Sequence, residues 1–239
     1  MRRQGFDFAE IVVPNAAARR QWWESGVKND FTDGFFLIGH GPPVEEPYDD
    51  MAYLWDHYLP TLMATVDTAS RLQIGQLTVH MLMDRRLVGP LILVEKIRAL
   101  KALVQYGQKC GVIVCMENLS ESADDLDAVL NAVPDLRVTL DVGHAHLSCE
   151  VNRSYEIIKR FGKRIGHVHL HDNHGGDIFA DDLHLSIEEG TIDFPAILGE
   201  LLHSGYRGTM TIEVNLQDLL LSRDRIRTLI AGLLRKDAS

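Results

Sequence analysis

Short apolar runs rich in β-branched residues alternate with longer helical segments along the chain, and this alternation constrains the fold most strongly. The strand candidates are Phe8–Val13, Phe35–His40, Gln76–Met81, Gly111–Glu117, Arg137–Asp141, Arg164–His171 and Thr209–Val214. The helix candidates are Ala16–Gly26, Asp50–Leu72, Leu91–Cys110, Glu121–Ala132, Arg153–Phe161, Phe194–Ser204 and Arg223–Leu234. Strands separated by helices of this length predict βαβ units and a parallel sheet.

Residue types at the ends of these segments support the same alternation. Gly111 directly follows the helix candidate that ends at Cys110, and glycine is the preferred residue just after a helix. Ser120 and Ser122 stand where the next helix candidate begins, and serine is a good N-cap residue. No linker rich in serine or glycine interrupts the pattern, so we expect one domain over residues 1–239.

A barrel and a doubly wound sheet both satisfy this alternation, and two features favour the barrel. No Gly-rich phosphate-binding sequence follows any strand candidate, which weakens the nucleotide-binding doubly wound alternative. Nearly every strand candidate ends in an imidazole or a carboxylate, and a barrel brings the carboxyl ends of its strands to one mouth. With seven strand candidates, we predict an α/β fold of (β/α)8 TIM-barrel type that lacks its first β-α unit. Two strand edges then need cover, which either a partner chain in a homodimer or the N-terminal segment would provide.

The charge balance and the cysteines narrow the classes of partner and compartment. The formal net charge is −10 at pH 7, from 24 Lys and Arg against 34 Asp and Glu, which argues against nucleic acid as a partner. No apolar run approaches the roughly 18 residues that a membrane helix needs, so we expect no membrane partner. The three cysteines do not indicate a disulfide framework and predict a cytoplasmic location.

Potential metal ligands gather at the carboxyl ends of the strand candidates. These residues are His40, His80, Glu117, Asp141 with His144, His169 flanked by His167 and His171, and Glu213, with Asp182 and His184 in a later loop. A set made of carboxylates and imidazoles suits Zn²⁺, Mn²⁺ or Co²⁺ better than Ca²⁺.

Each of these residues also has a structural interpretation. A single Glu at a strand end is more often a solvated surface residue than a ligand, and this applies to Glu117 and Glu213 taken singly. For His40 and His80 taken alone, a hydrogen-bonded structural histidine is about as consistent with the sequence as a metal ligand. The histidines of the segment His167–His171 share one face of a strand because side chains alternate, and such clustering favours a functional site.

Five stretches of the chain together match a known family. They are Val114–Leu119, Thr139–His144, His167–Asp172, His184–Phe194 and Gly205–Val214. In their order and placement the chain resembles the xylose-isomerase-like TIM-barrel superfamily. That superfamily includes sugar and sugar-phosphate isomerases and epimerases and the DNA-repair enzyme endonuclease IV.

The resemblance implies a divalent metal and the residues that hold it. The metal site shared by the superfamily corresponds to Glu117, Asp141, His169 and Glu213. The endonuclease IV branch holds up to three zinc ions, and its further ligand positions correspond to His40, His80, His144, Asp182 and His184. The implied cofactor is Zn²⁺ or Mn²⁺, with Co²⁺ or Mg²⁺ as alternatives, at one to three ions per chain.

The cations of the chain bear on its substrate. No Lys or Arg lies between Arg164 and Arg207, where a sugar-phosphate enzyme is expected to hold a phosphate, and the loop 41–50 is acidic. Arg85 and Arg86, which follow the His80 strand, are the obvious cations near the expected mouth. We predict that they and His171 contact the substrate, and that this is an unphosphorylated keto-sugar or polyol of carbohydrate metabolism.

Three functions are consistent with these residues. In the first, a metal-dependent sugar isomerase or epimerase transfers a proton through a metal-stabilised enediolate. Glu117 and Glu213 then act as base and acid on opposite faces of the substrate, and His144 contacts a substrate hydroxyl or a second metal. In the second, an endonuclease IV-like multinuclear zinc enzyme hydrolyses phosphate esters. In the third, a truncated and catalytically inactive barrel binds metal or a partner.

Overall fold

The computed structural model describes residues 1–13, 34–42 and 47–236. The helix predicted over Ala16–Gly26 lies outside these residues. Within the described ranges, no helix is long and apolar enough to cross a membrane. The chain divides into two compact units, Met1–Glu117 with Asp124–Arg137, and Asn118–Ala123 with Val138–Ser239.

The first unit contains four parallel strands that pair in chain order. They are β1 (Phe8–Val12), β2 (Phe36–His40), β3 (Gln76–Val79) and β4 (Ile113–Glu117). Its helical segments are the 3₁₀ turn Arg2–Gln4, the short helix Met51–Tyr53, the π-helical stretch Leu54–Tyr58, α1 (Leu59–Arg71), α2 (Pro90–Cys110) and most of α3 (Ala123–Ala132). The interior strands are covered by apolar side chains on both faces, as expected of a parallel sheet.

Helix α2 shows how the local sequence sets the ends of these elements. Pro90 occupies the first turn, where the missing N–H of proline costs no hydrogen bond. Gly111 ends the helix with a φ of +72°, a left-handed conformation that glycine adopts without steric cost. Leu100 and Leu103 on the inner face are fully buried, so the helix is held by its apolar stripe.

The second unit contains three parallel strands that also pair in chain order. They are β5 (Arg137–Asp141), β6 (Ile165–Leu170) and β7 (Thr209–Ile212). Its helices are α4 (Ser154–Phe161), α5 (Phe194–His203) and α6 (Leu219–Lys236), with 3₁₀ turns at His144–His146, Gly162–Arg164 and Phe179–Asp181. The core of this unit includes the fully buried Phe194, Leu198 and Leu201 of α5.

The predicted alternation of seven strands with helices is confirmed over the described residues, and the differences lie at the element ends. The strand predicted over Gln76–Met81 ends at Val79, because the apolar residues that follow are buried in a loop. Met81 and Met83 are 1% and 0% exposed although neither lies in a strand. The helix predicted over Asp50–Leu72 contains the π-helical stretch Leu54–Tyr58.

Candidate functional site

In the first unit, two imidazoles converge on a single carboxylate oxygen, and we call His40, His80 and Glu117 the Glu117 group. The Nε2 atoms of His40 and His80 lie 3.3 Å and 3.0 Å from Oε2 of Glu117. Glu117 is 1% exposed, at the last residue of β4. His40 ends β2, and His80 follows β3. The predicted meeting of these strand ends is therefore observed within the unit.

The orientation of His40 is set by its own backbone. Nδ1 of His40 lies 2.8 Å from the carbonyl oxygen of Gly41. A carbonyl can only accept a hydrogen bond, so Nδ1 carries the proton and Nε2 faces Glu117. His80 is held by its backbone as well, because the Tyr58 hydroxyl donates to the His80 carbonyl at 2.6 Å.

In the second unit, the ends of three strands bring together Asp141, His169 and Glu213, which we call the Asp141 group. Nδ1 of His169 lies 3.2 Å from Oε1 of Glu213 and 3.6 Å from Oδ2 of Asp141. Asp141 and His169 are fully buried, whereas the Glu213 side chain is 23% exposed. A partly exposed carboxylate beside two buried ligands is able to exchange protons with a small molecule.

Asn118 fixes the backbone of Asp141 from both sides. Its side-chain amide donates to the Asp141 carbonyl, and its side-chain oxygen accepts from the Asp141 amide, each at 2.9 Å. Asn118 is 1% exposed. Sequence reasoning missed this role, although Asn118 belongs to the matched stretch Val114–Leu119 and directly follows Glu117.

A second cluster in this unit, the His–Asp tetrad, consists of His144, His171, Asp182 and His184. One ligand atom from each lies within 4.8 Å of the others. The imidazole rings of His171 and His184 stack with centroids 3.8 Å apart and an interplanar angle of 9°. His171, predicted as a substrate contact, is fully buried, and the structure places it among the predicted metal ligands.

Ionisation in these two groups is strongly coupled to the neighbouring imidazoles. Burial opposes ionisation of Asp141, but the charges of His144 and His171 hold the pKa of its carboxyl well below the ordinary value. Burial also opposes ionisation of Asp182, but hydrogen bonds from His144 and His184 lower the pKa of that carboxyl. The hydrogen bond to Asp182 raises the pKa of His184 to about 9, against the effect of burial. Both carboxyl groups are therefore anionic at neutral pH.

Two residues that sequence reasoning missed shape the loop around the tetrad. Asp172 is fully buried, and its carboxylate accepts from the amides of Asn173, Gly190 and Ile192 at 2.9, 2.9 and 3.2 Å. Gly143 lies against the ring of His171, which a Cβ atom on that residue would overlap. The matched stretches Thr139–His144 and His167–Asp172 contain these two residues, which was the available signal.

Arg85, Arg86 and His167 contact residues outside the Glu117 group, the Asp141 group and the His–Asp tetrad. Nε of Arg85 lies 2.7 Å from Asp125, and the Arg86 guanidinium lies 2.6 Å from Asp84. The hydrogen bond to Asp125 raises the pKa of Arg85. His167, on the same strand as His169, places its ring nitrogens 2.7 and 2.9 Å from the hydroxyls of Thr209 and Thr211, a structural arrangement.

The donor atoms of the second unit fit a divalent cation. Oδ2 of Asp141, Nδ1 of His171 and Oδ1 of Asp182 are buried and have no hydrogen-bond partner among the described residues. Buried polar atoms in native proteins are nearly always paired, and cations bound at the Asp141 group and at the His–Asp tetrad would satisfy these three. Imidazole nitrogens and carboxylate oxygens are ligands that Zn²⁺ and Mn²⁺ accept.

Comparisons with known proteins agree with this fold. A family model described as xylose isomerase-like TIM barrel matches residues 1–234. An uncharacterized protein of Methanocaldococcus jannaschii is 32% identical over 146 residues, which are 57% of this chain and 48% of that relative. The chain therefore matches about half the length of this curated relative.

Two solved structures have the same fold. A D-tagatose 3-epimerase-like protein superposes with a TM-score of 0.80 at 23% identity, covering 97% of this chain and 91% of that chain. The IolI protein with a bound zinc atom superposes with a TM-score of 0.74 at 15% identity, covering 98% and 90%. With the match of the family model, the chain belongs to the xylose isomerase-like TIM-barrel family, and the predicted α/β fold class is confirmed.

Proposed function

We propose that this chain is a divalent-metal-dependent isomerase or epimerase of an unphosphorylated keto-sugar or polyol. The observation that carries the proposal is the Asp141 group, in which Nδ1 of His169 lies 3.2 Å from Glu213 and 3.6 Å from Asp141. The similarity of fold to the D-tagatose 3-epimerase-like protein supports the reaction class. The proposal rests on the site residues, because fold alone does not determine activity.

Each residue of the Asp141 group has a defined task in this reaction. Asp141 and His169 are buried ligands that would hold the cation, and Asn118 keeps Asp141 in place. The cation, when bound, supplies a Lewis acid that stabilises negative charge on the substrate oxygens. The partly exposed Glu213 takes the proton next to the substrate carbonyl. Glu117 is kept as the second acid–base residue of the prediction.

The electrostatics of the arginines support an unphosphorylated substrate. Arg85 and Arg86, the predicted substrate contacts, are each held by a carboxylate, Asp125 and Asp84. Each ion pair offsets the positive charge that a phosphate would need. The formal net charge of −10 also disfavours a substrate with two negative charges. The hydroxyls of a neutral sugar need only hydrogen bonds.

Substitution of the two glutamates tests the acid–base assignment. We expect Glu117→Gln and Glu213→Gln each to lower the turnover of a keto-sugar by about 10²–10⁴-fold, the usual contribution of a general acid or base. Glu200→Gln, at an exposed position of α5, serves as the matched control and keeps its turnover. Product formation is followed by NMR, and thermal unfolding checks the fold. Full activity in both glutamate variants would refute the assignment.

A hydrolase of phosphate esters is the second candidate, and the extended ligand set is the observation that favours it. The Glu117 group and the His–Asp tetrad add imidazoles beyond those that one isomerase metal needs. A zinc-loaded chain that cleaves a duplex with an abasic site, but leaves keto-sugars unchanged, would establish this alternative. A chain that binds metal and converts neither substrate would favour the third hypothesis, an inactive barrel.

Several predictions about the whole protein rest on the sequence alone. A single domain, a cytoplasmic location and a homodimer remain proposals. Size-exclusion chromatography with light scattering decides the last of them, since a dimer doubles the mass of 26.9 kDa.

A further inference from the structure

We propose that the His–Asp tetrad is a closed zinc site with four protein ligands, in which His171 is the fourth ligand. Among the four residues of the tetrad, the resemblance implies metal ligands at His144, Asp182 and His184 but not at His171, so the role of His171 is specific to this inference. It rests on the metal dependence of the proposed function. It adds that the tetrad holds its ion for structure, while the chemistry belongs to the Asp141 group.

The protons on the three imidazoles are fixed by their neighbours. In each ring one nitrogen faces an oxygen that can only accept a hydrogen bond. Nδ1 of His144 lies 3.2 Å from the Asn118 carbonyl oxygen, and Nε2 of His171 lies 3.1 Å from Oδ1 of Asp141. Nδ1 of His184 lies 2.9 Å from the Glu213 carbonyl oxygen. Those nitrogens keep their protons when a metal binds, whereas the opposite nitrogens face the Asp182 carboxylate and give up any proton to bind an ion. A ligating histidine typically donates its other N–H to a carboxylate or a backbone carbonyl, and all three follow that pattern.

The remaining nitrogens all face the carboxylate of Asp182. Nε2 of His144 lies 3.2 Å and Nε2 of His184 lies 3.4 Å from Oδ2. Nδ1 of His171 lies 3.7 Å from Oδ1. Zinc bonds of 2.0–2.1 Å in a tetrahedron place the donor atoms about 3.3 Å apart. The donor atoms of the tetrad all lie within 4.8 Å of one another, so shifts of up to about 1.5 Å bring them to this spacing.

The burial of His171 separates a ligand from a substrate contact. Its ring is fully buried, and its Nδ1 has no hydrogen-bond partner in the described chain. Oδ1 of Asp182, which faces it, is likewise buried without a partner. Each such atom costs about 1–3 kcal/mol when it is left unsatisfied, and an ion bound between them removes both costs.

Four protein ligands have a chemical consequence. Zinc in structural sites is four-coordinate, whereas catalytic zinc keeps one position for water or substrate. With His171 bound, the tetrad has no such position. Its ion would instead stabilise the conformation of the loop that carries Asp182 and His184. His184 has a φ of +48°, a conformation that a non-glycine residue keeps only when its surroundings hold it there.

The first test measures zinc affinity without any substrate. Competition with a chromophoric chelator measures the affinity for each zinc equivalent. We expect His171→Asn to lower the affinity for one equivalent by at least about 100-fold, at or above the upper end of the 10–100-fold effect typical of an outer-shell partner. His167→Asn, a buried histidine on the same strand that contacts Thr209 and Thr211, is the matched control and keeps that equivalent. An effect of His171→Asn below 100-fold would overturn the assignment.

The second test covers the case in which the His171 variant does not fold. One equivalent of Co²⁺ is added to Glu213→Gln, which weakens the Asp141 group and leaves the tetrad side chains in place. We expect intense tetrahedral absorption bands that azide does not change, because a closed site has no position for it. Bands that shift with azide would overturn the closed site. Wild-type chain inactive on keto-sugars would refute the proposed function alone, since neither readout needs a substrate.

Discussion

Single contacts at the residue scale decide which nitrogen of each histidine is available to a metal. The Gly41 carbonyl accepts from Nδ1 of His40 at 2.8 Å, and the Glu213 carbonyl accepts from Nδ1 of His184 at 2.9 Å. Each of these bonds keeps the proton on Nδ1 and leaves Nε2 as the nitrogen that binds a metal once it is deprotonated. The backbone therefore takes part in ligand selection as directly as the side chains do.

Gly143 provides a prediction at this scale. A Cβ atom at this position would overlap the buried ring of His171, so Gly143→Ala forces the ring out of place. We expect a loss of about 1–3 kcal/mol in the free energy of unfolding, as is typical of overpacking, together with weaker zinc binding. Gly75→Ala is the control, because its Cβ would meet nothing within 4 Å. Urea denaturation measures both variants, and equal stability would contradict the contact.

The site residues that the sequence predicted and those it missed differ in kind. Asp141 and His169 were predictable because their chemistry and their place at strand ends are visible in the sequence. Asn118 and Gly143 were not, because their roles are contacts with residues distant along the chain, 23 positions away for Asn118 and Asp141. Such contacts depend on packing, which a single sequence does not display.

At the scale of elements, the side chain of Asn118 holds the end of β5 in place. The two hydrogen bonds of Asn118, each 2.9 Å, join its side chain to the backbone of Asp141, the last residue of β5. The loop after Asp172 is organised in the same way, because one buried carboxylate accepts three backbone amides. Buried polar residues thus position both groups of ligands.

Removal of the Asn118 side chain tests whether its hydrogen bonds hold the end of β5. Asn118→Ala leaves the buried amide and carbonyl of Asp141 without these partners, and we expect the free energy of unfolding to fall by about 2–4 kcal/mol. Asn131→Ala serves for comparison, because Asn131 is exposed and bonds only to Asp127 at 3.0 Å, and should stay within about 0.5 kcal/mol. If the two variants unfold at the same urea concentration, the role of Asn118 is wrong.

Element types were predictable from the sequence, and element ends were less so. Periodic apolar runs identify α2 and β4, and Gly111 marks the end of the helix. The residues after β3 are apolar and buried without joining the ladder, so the predicted strand was too long there. The ladder also shifts register between Val138 and Thr139, which alternation of residue types does not reveal.

At the scale of the whole molecule, clustered carboxylates and imidazoles would link stability to metal content if they bind cations as proposed. All nine predicted ligands have side chains that are at most 38% exposed, so the apo protein keeps these charged and polar groups largely away from water. A ligand that binds only the folded state stabilises it by about 4 kcal/mol at 1,000 times its Kd. The class of metal stays a prediction from the sequence, whereas the clustering of the ligands depends on tertiary contacts.

Chelation gives the corresponding prediction. Removing bound zinc should lower the unfolding temperature by roughly 8–16 °C, from about 4 kcal/mol at 2–4 °C per kcal/mol for a chain of this size. Differential scanning calorimetry before and after dialysis against a chelator measures the shift, and added Zn²⁺ should restore it. An unfolding temperature that does not change with metal content would contradict metal binding by the folded chain.

Exchange of a solvent proton into a keto-sugar tests metal-dependent isomerase chemistry most directly. The metal-loaded chain is incubated in D₂O with unphosphorylated ketohexoses and ketopentoses, and NMR follows deuterium at the carbon next to the carbonyl. We predict incorporation that stops after chelation and returns with Mn²⁺ or Zn²⁺, because the reaction removes that proton. Incorporation that is equally fast without metal, or none in any of these sugars with metal bound, would contradict the proposed function.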